Sequence, residues 1–145
     1  MRKLINIIKG YLLFVNLIKN FTGDIVNETL TFDEKFDALG EFYNIESPQE
    51  IKDFLKDNAR IFVLLNEVKP YLNDTFSDEE YCLEMVYDPE CESCSHLVLR
   101  IYVSSERFHN GVSDEIEFIR KNLRPLRRQY RVLSEFAIRA GVKNV

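Results

Sequence analysis

The chain is 145 residues long, 46% apolar and 30% charged, with three cysteines and a formal net charge of −5. That length suits one folded domain with its own core, and three cysteines are too few and too odd in number for a secreted disulfide framework. A reducing, cytoplasmic setting is the default expectation. The charge is uneven: residues 1–19 carry four basic side chains and no acidic one, residues 20–119 carry seven basic against 23 acidic, and residues 120–145 carry eight against one. Basic ends that pair with the acidic middle are the simplest reading of that pattern.

The segment from Leu4 to Asn20 is mostly apolar, and Arg2, Asn6, Lys9, Asn16 and Asn20 recur at helical spacing as one narrow polar stripe. The longest unbroken apolar run, Tyr11 to Val15, falls well short of the ~20 residues of a spanning helix. Lys9 and Asn16 also interrupt the apolar region that a secretory signal requires. Residues 1–22 are therefore expected as an apolar helix, packed in the core or against a second copy rather than on a membrane surface. Gly23 and Asp24 close it, and Asp24 to Leu30 is an extended stretch with room for a third strand.

Residues 23–78 are expected to be otherwise helical. Thr31 and Glu34 have the spacing of a capping box, and Phe32, Phe36, Leu39 and Tyr43 recur on one face of a helix over 32–43. Ser47, Pro48 and Glu50 then supply an N-cap, a first helical residue and a capping acid. The apolar face continues through Ile51, Phe54, Leu55, Ile61, Phe62, Leu65, Val68 and Leu72, with a break near Asp57-Asn58 and a kink or early end at Pro70. Two antiparallel helices or one bent helix both fit.

Residues 79–104 alternate with period two. Tyr81, Leu83, Met85 and Tyr87 share one face of a strand that ends at Asp88-Pro89, and Leu97, Leu99, Ile101 and Val103 share one face of the next, so a hairpin is expected. Beyond it, Asn110-Gly111 marks a turn. Ser113 can cap a helix that begins with Asp114, Glu115 and Glu117 and ends with Arg120 and Lys121, each charge opposing the helix dipole. Pro125 is read as the start of a second helix with Leu126, Tyr130, Leu133, Ala137 and Ala140 as its inward stripe, making 112–141 a pair of C-terminal helices. Arg124, Arg127, Arg128 and Arg131 then form a cluster on the exposed side of that last helix.

Two side-chain sets invite chemistry. Cys82, Cys91, Cys94 and His96 give Cys-x8-Cys-x2-Cys-x-His, the ligand types of a structural zinc site. If Glu84 faces Arg100, however, Cys82 lies opposite Tyr102, roughly 20 Å or more along an extended strand from Cys91. Three ligands on one ribbon, Cys91, Cys94 and His96, do not close a zinc site. Nor does the pair precede a helix, as a thioredoxin-like thiol does, so two free or loosely paired thiols on a turn are expected, with no cofactor. The second set is the arginine cluster, which has the charge for nucleic-acid phosphates but no interleaved aromatic residues. Glu79, Glu80, Glu84, Asp88, Glu90 and Glu92 alternate around the first strand and read as a solvated face. No phosphate-binding glycine loop, nucleophile elbow or His-Glu-x-x-His is present, and His96 and His109 have no relay spacing.

From Phe54 to Val103, apolar helices run into Leu83-Glu84-Met85-Val86-Tyr87-Asp88-Pro89-Glu90 and then a second apolar strand. This segment, about a third of the chain, is similar to small uncharacterised prokaryotic proteins that have a Leu-x-Leu-Glu strand ending in Asp-Pro-Glu. The resemblance implies an α+β unit with a hairpin packed on helices and carries no activity or catalytic residue. The chain departs from it in its cysteines and its arginine-rich C-terminal segment. The expected fold is thus a single α+β domain, mainly helical, with a two-stranded antiparallel hairpin on helices, three-stranded if residues 24–30 join it. The expected function is a non-enzymatic protein-interaction or self-associating module. A nucleic-acid-binding protein using the arginine cluster comes second, and a thiol or metal-dependent enzyme third.

Overall fold

The computed structural model describes residues 30–143. The apolar helix expected over residues 1–22 and most of the extended stretch or third strand expected over 24–30 lie outside them. The chain divides into two compact units, residues 1–37 and 38–145. In the first, Thr31 Oγ1 accepts the Glu34 N–H at 3.2 Å at the start of helix α1 (Phe32–Phe42), which is one half of the expected capping box.

In the second unit the chain continues as β1 (Asn44–Ile45), α2 (Pro48–Asp57), α3 (Ala59–Phe76), β2 (Glu80–Asp88), β3 (Cys91–Val103), α4 (Ser105–His109), α5 (Val112–Tyr130) and β4 (Phe136–Val142). The strands form one sheet in the order β1-β2-β3-β4. The β2–β3 hairpin is antiparallel, whereas β1 runs parallel to β2 and β4 parallel to β3. A parallel neighbour cannot be reached by a tight turn, and here each crossover is a pair of helices, α2–α3 before the hairpin and α4–α5 after it. The fold is α+β as expected, but the hairpin is the centre of a four-stranded mixed sheet rather than the whole of it.

Alternation places the core. Leu83, Leu97, Leu99 and Ile101 are fully buried, as are Leu64, Leu65, Val68, Leu72 and Phe76 of α3 and Ile119 and Leu123 of α5. Two tyrosines enter this interior by spending their hydroxyls on helix carbonyls: Tyr43 donates to Leu65 O at 2.6 Å, and Tyr81 donates to Phe76 O at 2.6 Å and Leu72 O at 3.1 Å. Burial raises the Tyr43 phenol far above its ordinary range, so it stays a donor. No described helix is long and apolar enough to cross a membrane.

Several local expectations are corrected. The helix that starts at Pro48 does follow Ser47, but the Ser47 side chain makes no capping bond. Its carbonyl accepts the Glu50 and Ile51 N–H groups, and the Glu50 carboxylate instead accepts the Tyr87 hydroxyl at 2.7 Å. Helix α3 runs through Pro70 to Phe76. In the hairpin, Cys82 faces Arg100 and Glu84 faces Val98, two residues from the expected register, because Asp88 already pairs with Cys91 and the ladder shifts between Val86 and Asp88. A two-residue slip preserves parity, which is why the core face stands unchanged.

The largest correction is at the C-terminus. No second helix begins at Pro125; α5 passes through it to Tyr130, held by the buried Val112, Ile116, Ile119 and Leu123. Arg131 then takes a left-handed conformation (φ 54°), and the Val132 N–H bonds back to Arg127 O at 2.9 Å, closing the helix. Phe136–Val142 is a strand, with Phe136 and Ile138 buried and Arg139 exposed. Helix α4 was not expected at all. Ser104 Oγ caps it by accepting the Arg107 N–H at 3.2 Å.

Candidate anion-binding face

Strand β4 is an edge. In a parallel ladder alternate residues bond the neighbouring strand, and Glu135 O and the Lys143 N–H both reach β3, so Phe136 and Ile138 turn their backbone polar groups to the free side. Helix α5 covers them with arginines at helical spacing. Arg120 donates to Ile138 O at 2.6 Å, and Arg127 donates to Phe136 O and, at 3.3 Å, to Leu133 O while its guanidinium lies over the Phe136 ring. Burial, and after it the neighbouring Arg120, lowers the Arg127 guanidinium from its ordinary value, while Glu135 acts the other way.

Between α5, β4 and the start of β3 lies an open concavity of about 720 Å³, lined by Arg120, Arg124 and Arg127 of α5, Arg139 of β4, and Ser93, Cys94 and His96 of β3. A second, of about 670 Å³, adjoins it around Arg124, Arg127, Arg128, Arg131 and Leu133. The two residue sets that stood apart in the sequence, the arginines and the Cys91/Cys94/His96 group, are thus neighbours. Arg124, Arg128, Arg131 and Arg139 are exposed and, among the described residues, their side chains make no hydrogen bond or ion pair.

Several acids of the middle segment are engaged elsewhere. Glu84 holds Arg100 at 3.1 Å and the Tyr102 hydroxyl at 2.7 Å; Glu79 meets Arg107 at 3.3 Å and Lys143 at 2.9 Å; Glu115 meets Arg107 at 2.6 Å. Among the described residues, Glu117 lines the concavity itself and Glu135 lies in sequence between the lining residues Ser134 and Phe136. Glu117 pairs with Arg120 at 3.4 Å, and Glu135 accepts the Leu133 N–H at 2.7 Å. Bonds from the Glu135 and Leu133 backbone N–H groups hold the Glu135 carboxyl below its ordinary range; burial opposes them, and Arg60 and then Arg127 add smaller lowering effects. The expected neutralisation of the arginine cluster by the acidic body is therefore not found among the described residues.

Cys91 and Cys94 are joined to each other with Cα atoms 5.3 Å apart, not free, so neither offers a thiolate to a metal. Cys82 is buried on the sheet face that also carries Glu84, Arg100 and Tyr102. There a Cβ at Gly141 would lie 2.9 Å from both Arg100 Cδ and Tyr102 Cε1, so any other residue would force these side chains to shift. Glu46, Cys82 and Glu84 bring three potential ligand atoms within 4.8 Å, the one such group among the described residues. Burial first, then Glu46, Glu84 and Glu80, push the Cys82 thiol up to about 11, so it is neither nucleophile nor ready ligand near neutral pH.

Arg139 escaped the sequence reading because it was placed on a helix. The alternation of Phe136, Ile138 and Ala140 with Ala137, Arg139 and Gly141 was the available signal. No protein-family description, curated protein or solved structure matches the chain.

Proposed function

We propose that the chain is a non-enzymatic interaction module that docks an acidic segment of a partner protein on its α5–β4 face. The observation that carries this reading is the set of exposed guanidinium groups at Arg124, Arg128, Arg131 and Arg139, left without a carboxylate among the described residues in a chain whose net charge is −5. Burying such charges against a complementary surface costs less than burying them alone, and their field speeds encounter with anions. Leu133, 74% exposed among them, offers apolar contact, which suits a peptide carrying both acidic and apolar side chains.

Nucleic acid is the second reading, favoured by the same unpaired arginines. It is weaker because Phe136, the phenyl ring that lines the concavity, is only 1% exposed and offers no stacking platform. The test is fluorescence anisotropy with an acidic, leucine-containing peptide beside single-stranded and duplex nucleic acid, at low and moderate salt. The expected result is salt-sensitive peptide binding, lost in Arg124→Glu/Arg128→Glu/Arg139→Glu with an unchanged melting temperature. Tighter binding of nucleic acid than of peptide would replace the first reading by the second, and binding that survives the reversals would remove the face from both.

A further inference from the structure

We propose that Cys91–Cys94 is a redox-active disulfide that exchanges with a small thiol bearing carboxylates, seated in the arginine-lined concavity. This goes beyond the docking reading: it uses the same basic walls but concerns bond chemistry at their rim.

The geometry places one sulfur-bearing residue at the cavity and its partner behind it. Cys94 is exposed and lines the concavity with His96, Arg124 and Arg139, whereas Cys91 is half-buried and does not line it. The Cys91 sulfur lies 3.4 Å from the Ser93 hydroxyl. An incoming thiolate therefore reaches Cys94 Sγ. As the new sulfur–sulfur bond forms, the Cys91–Cys94 bond breaks and its electron pair goes to Cys91 Sγ, where the Ser93 O–H can donate to the thiolate. The mixed disulfide leaves the carboxylates of the small thiol among Arg124 and Arg139, which have no other anionic partner among the described residues. A second thiolate attacks the sulfur of the bound small molecule, releasing its symmetric disulfide and Cys94 as a thiolate. The protons of the two small thiols end on Cys91 and Cys94: two thiols are oxidised and one protein disulfide is reduced. The reverse sequence re-forms the protein disulfide.

Position also makes the bond expendable to the fold. It spans three residues at the outer end of the hairpin, where Cys91 pairs with Asp88, and every fully buried side chain of β3 lies at or beyond Leu97. The loop it closes has a sequence separation of only 3, so opening it releases less loop-closure constraint than a long-range bond would.

The test follows reduction of the oxidised full chain by glutathione, by neutral 2-mercaptoethanol and by cationic cysteamine, each rate referred to the thiolate concentration. Glutathione is expected to react about tenfold or more faster than the neutral thiol, and cysteamine slower, by the field of the basic walls. Arg124→Glu/Arg139→Glu is expected to abolish or invert that order, and Arg124→Lys/Arg139→Lys, which keeps the charge, to retain it. Equal rates for the three thiols, an order unmoved by the reversal, or no Cys91–Cys94 bond by mass spectrometry after treatment with oxidised glutathione would each overturn the inference. Cys91→Ser/Cys94→Ser separates the two readings: it removes exchange and leaves acidic-peptide binding, so either can fail without the other.

Discussion

Arg127→Ala should destabilise the protein while Arg124→Ala and Arg128→Ala should not, although all three arginines are neighbours on α5. The Arg127 guanidinium donates to Phe136 O, a charge-assisted bond worth about 1.5–3 kcal/mol. Its second bond, to Leu133 O, is long at 3.3 Å and exposed, and adds little. Contact with the Phe136 ring at 5.4 Å adds about 0.5–1 kcal/mol. Partial desolvation of the cation, visible in the direction of its lowered pKa, offsets part of this. A net loss of about 2 kcal/mol is expected, which for a chain of this size lowers the melting temperature by roughly 6–8 °C. Arg124→Ala and Arg128→Ala should stay within about 0.5 kcal/mol of wild type. Thermal melts of the three variants decide it. An Arg127→Ala melt within about a degree of wild type, or an equal loss in Arg124→Ala, would refute the division of this cluster into one arginine that holds β4 and others that face solvent.

Arg107→Ala should cost about 2 kcal/mol in urea unfolding, because its guanidinium joins Glu115 at 2.6 Å, Glu79 at 3.3 Å and Thr75 O at 2.9 Å, and α4 has no buried residue of its own; Arg107→Lys should recover only part of the loss. Thiol titration of the oxidised protein near pH 8 should find no reactive cysteine when native, one in denaturant (Cys82) and all three after reduction, whereas a native count above zero would contradict the burial of Cys82 or the Cys91–Cys94 bond. Glu135 has a folded pKa below its ordinary 4.5, so the stability it contributes is present above 4.5 and is lost as pH falls through the lower folded value. Glu135→Gln should therefore flatten the acid limb of the stability curve below about pH 4.5, and an unchanged limb would remove Glu135 from acid unfolding.

The hairpin was legible because its apolar residues alternate: the faces defined by Leu83 and by Leu97, Leu99 and Ile101 are those that the core occupies, although Cys82 and Val98 on the other face are buried as well and Tyr87 is exposed. Register was less legible, since period two cannot distinguish Glu84 opposite Arg100 from Glu84 opposite Val98, and long side chains still let Arg100 reach Glu84 across the diagonal. Strand β4 was missed because Leu133, Ala137 and Ala140 also satisfy a helical stripe, and because α5 ends at Arg131 without the glycine that commonly marks a left-handed cap. Helix α4 carries no apolar periodicity: one arginine fastens it. The arginine cluster could be read as charge, but the separate role of Arg127 depends on carbonyls that only the β3–β4 pairing presents. That same long-range pairing brings Arg139 beside His96 and Cys94.

The α5–β4 face as the place where an anionic partner docks is tested most directly by mapping backbone amide shifts on a labelled protein during titration with the acidic, leucine-containing peptide. Shifts are expected to concentrate in residues 93–96, 117–131 and 133–139 and to fade as salt is added. Shifts centred on α2 or the Asp88–Cys91 turn, or none at peptide concentrations that saturate the anisotropy signal, would contradict it.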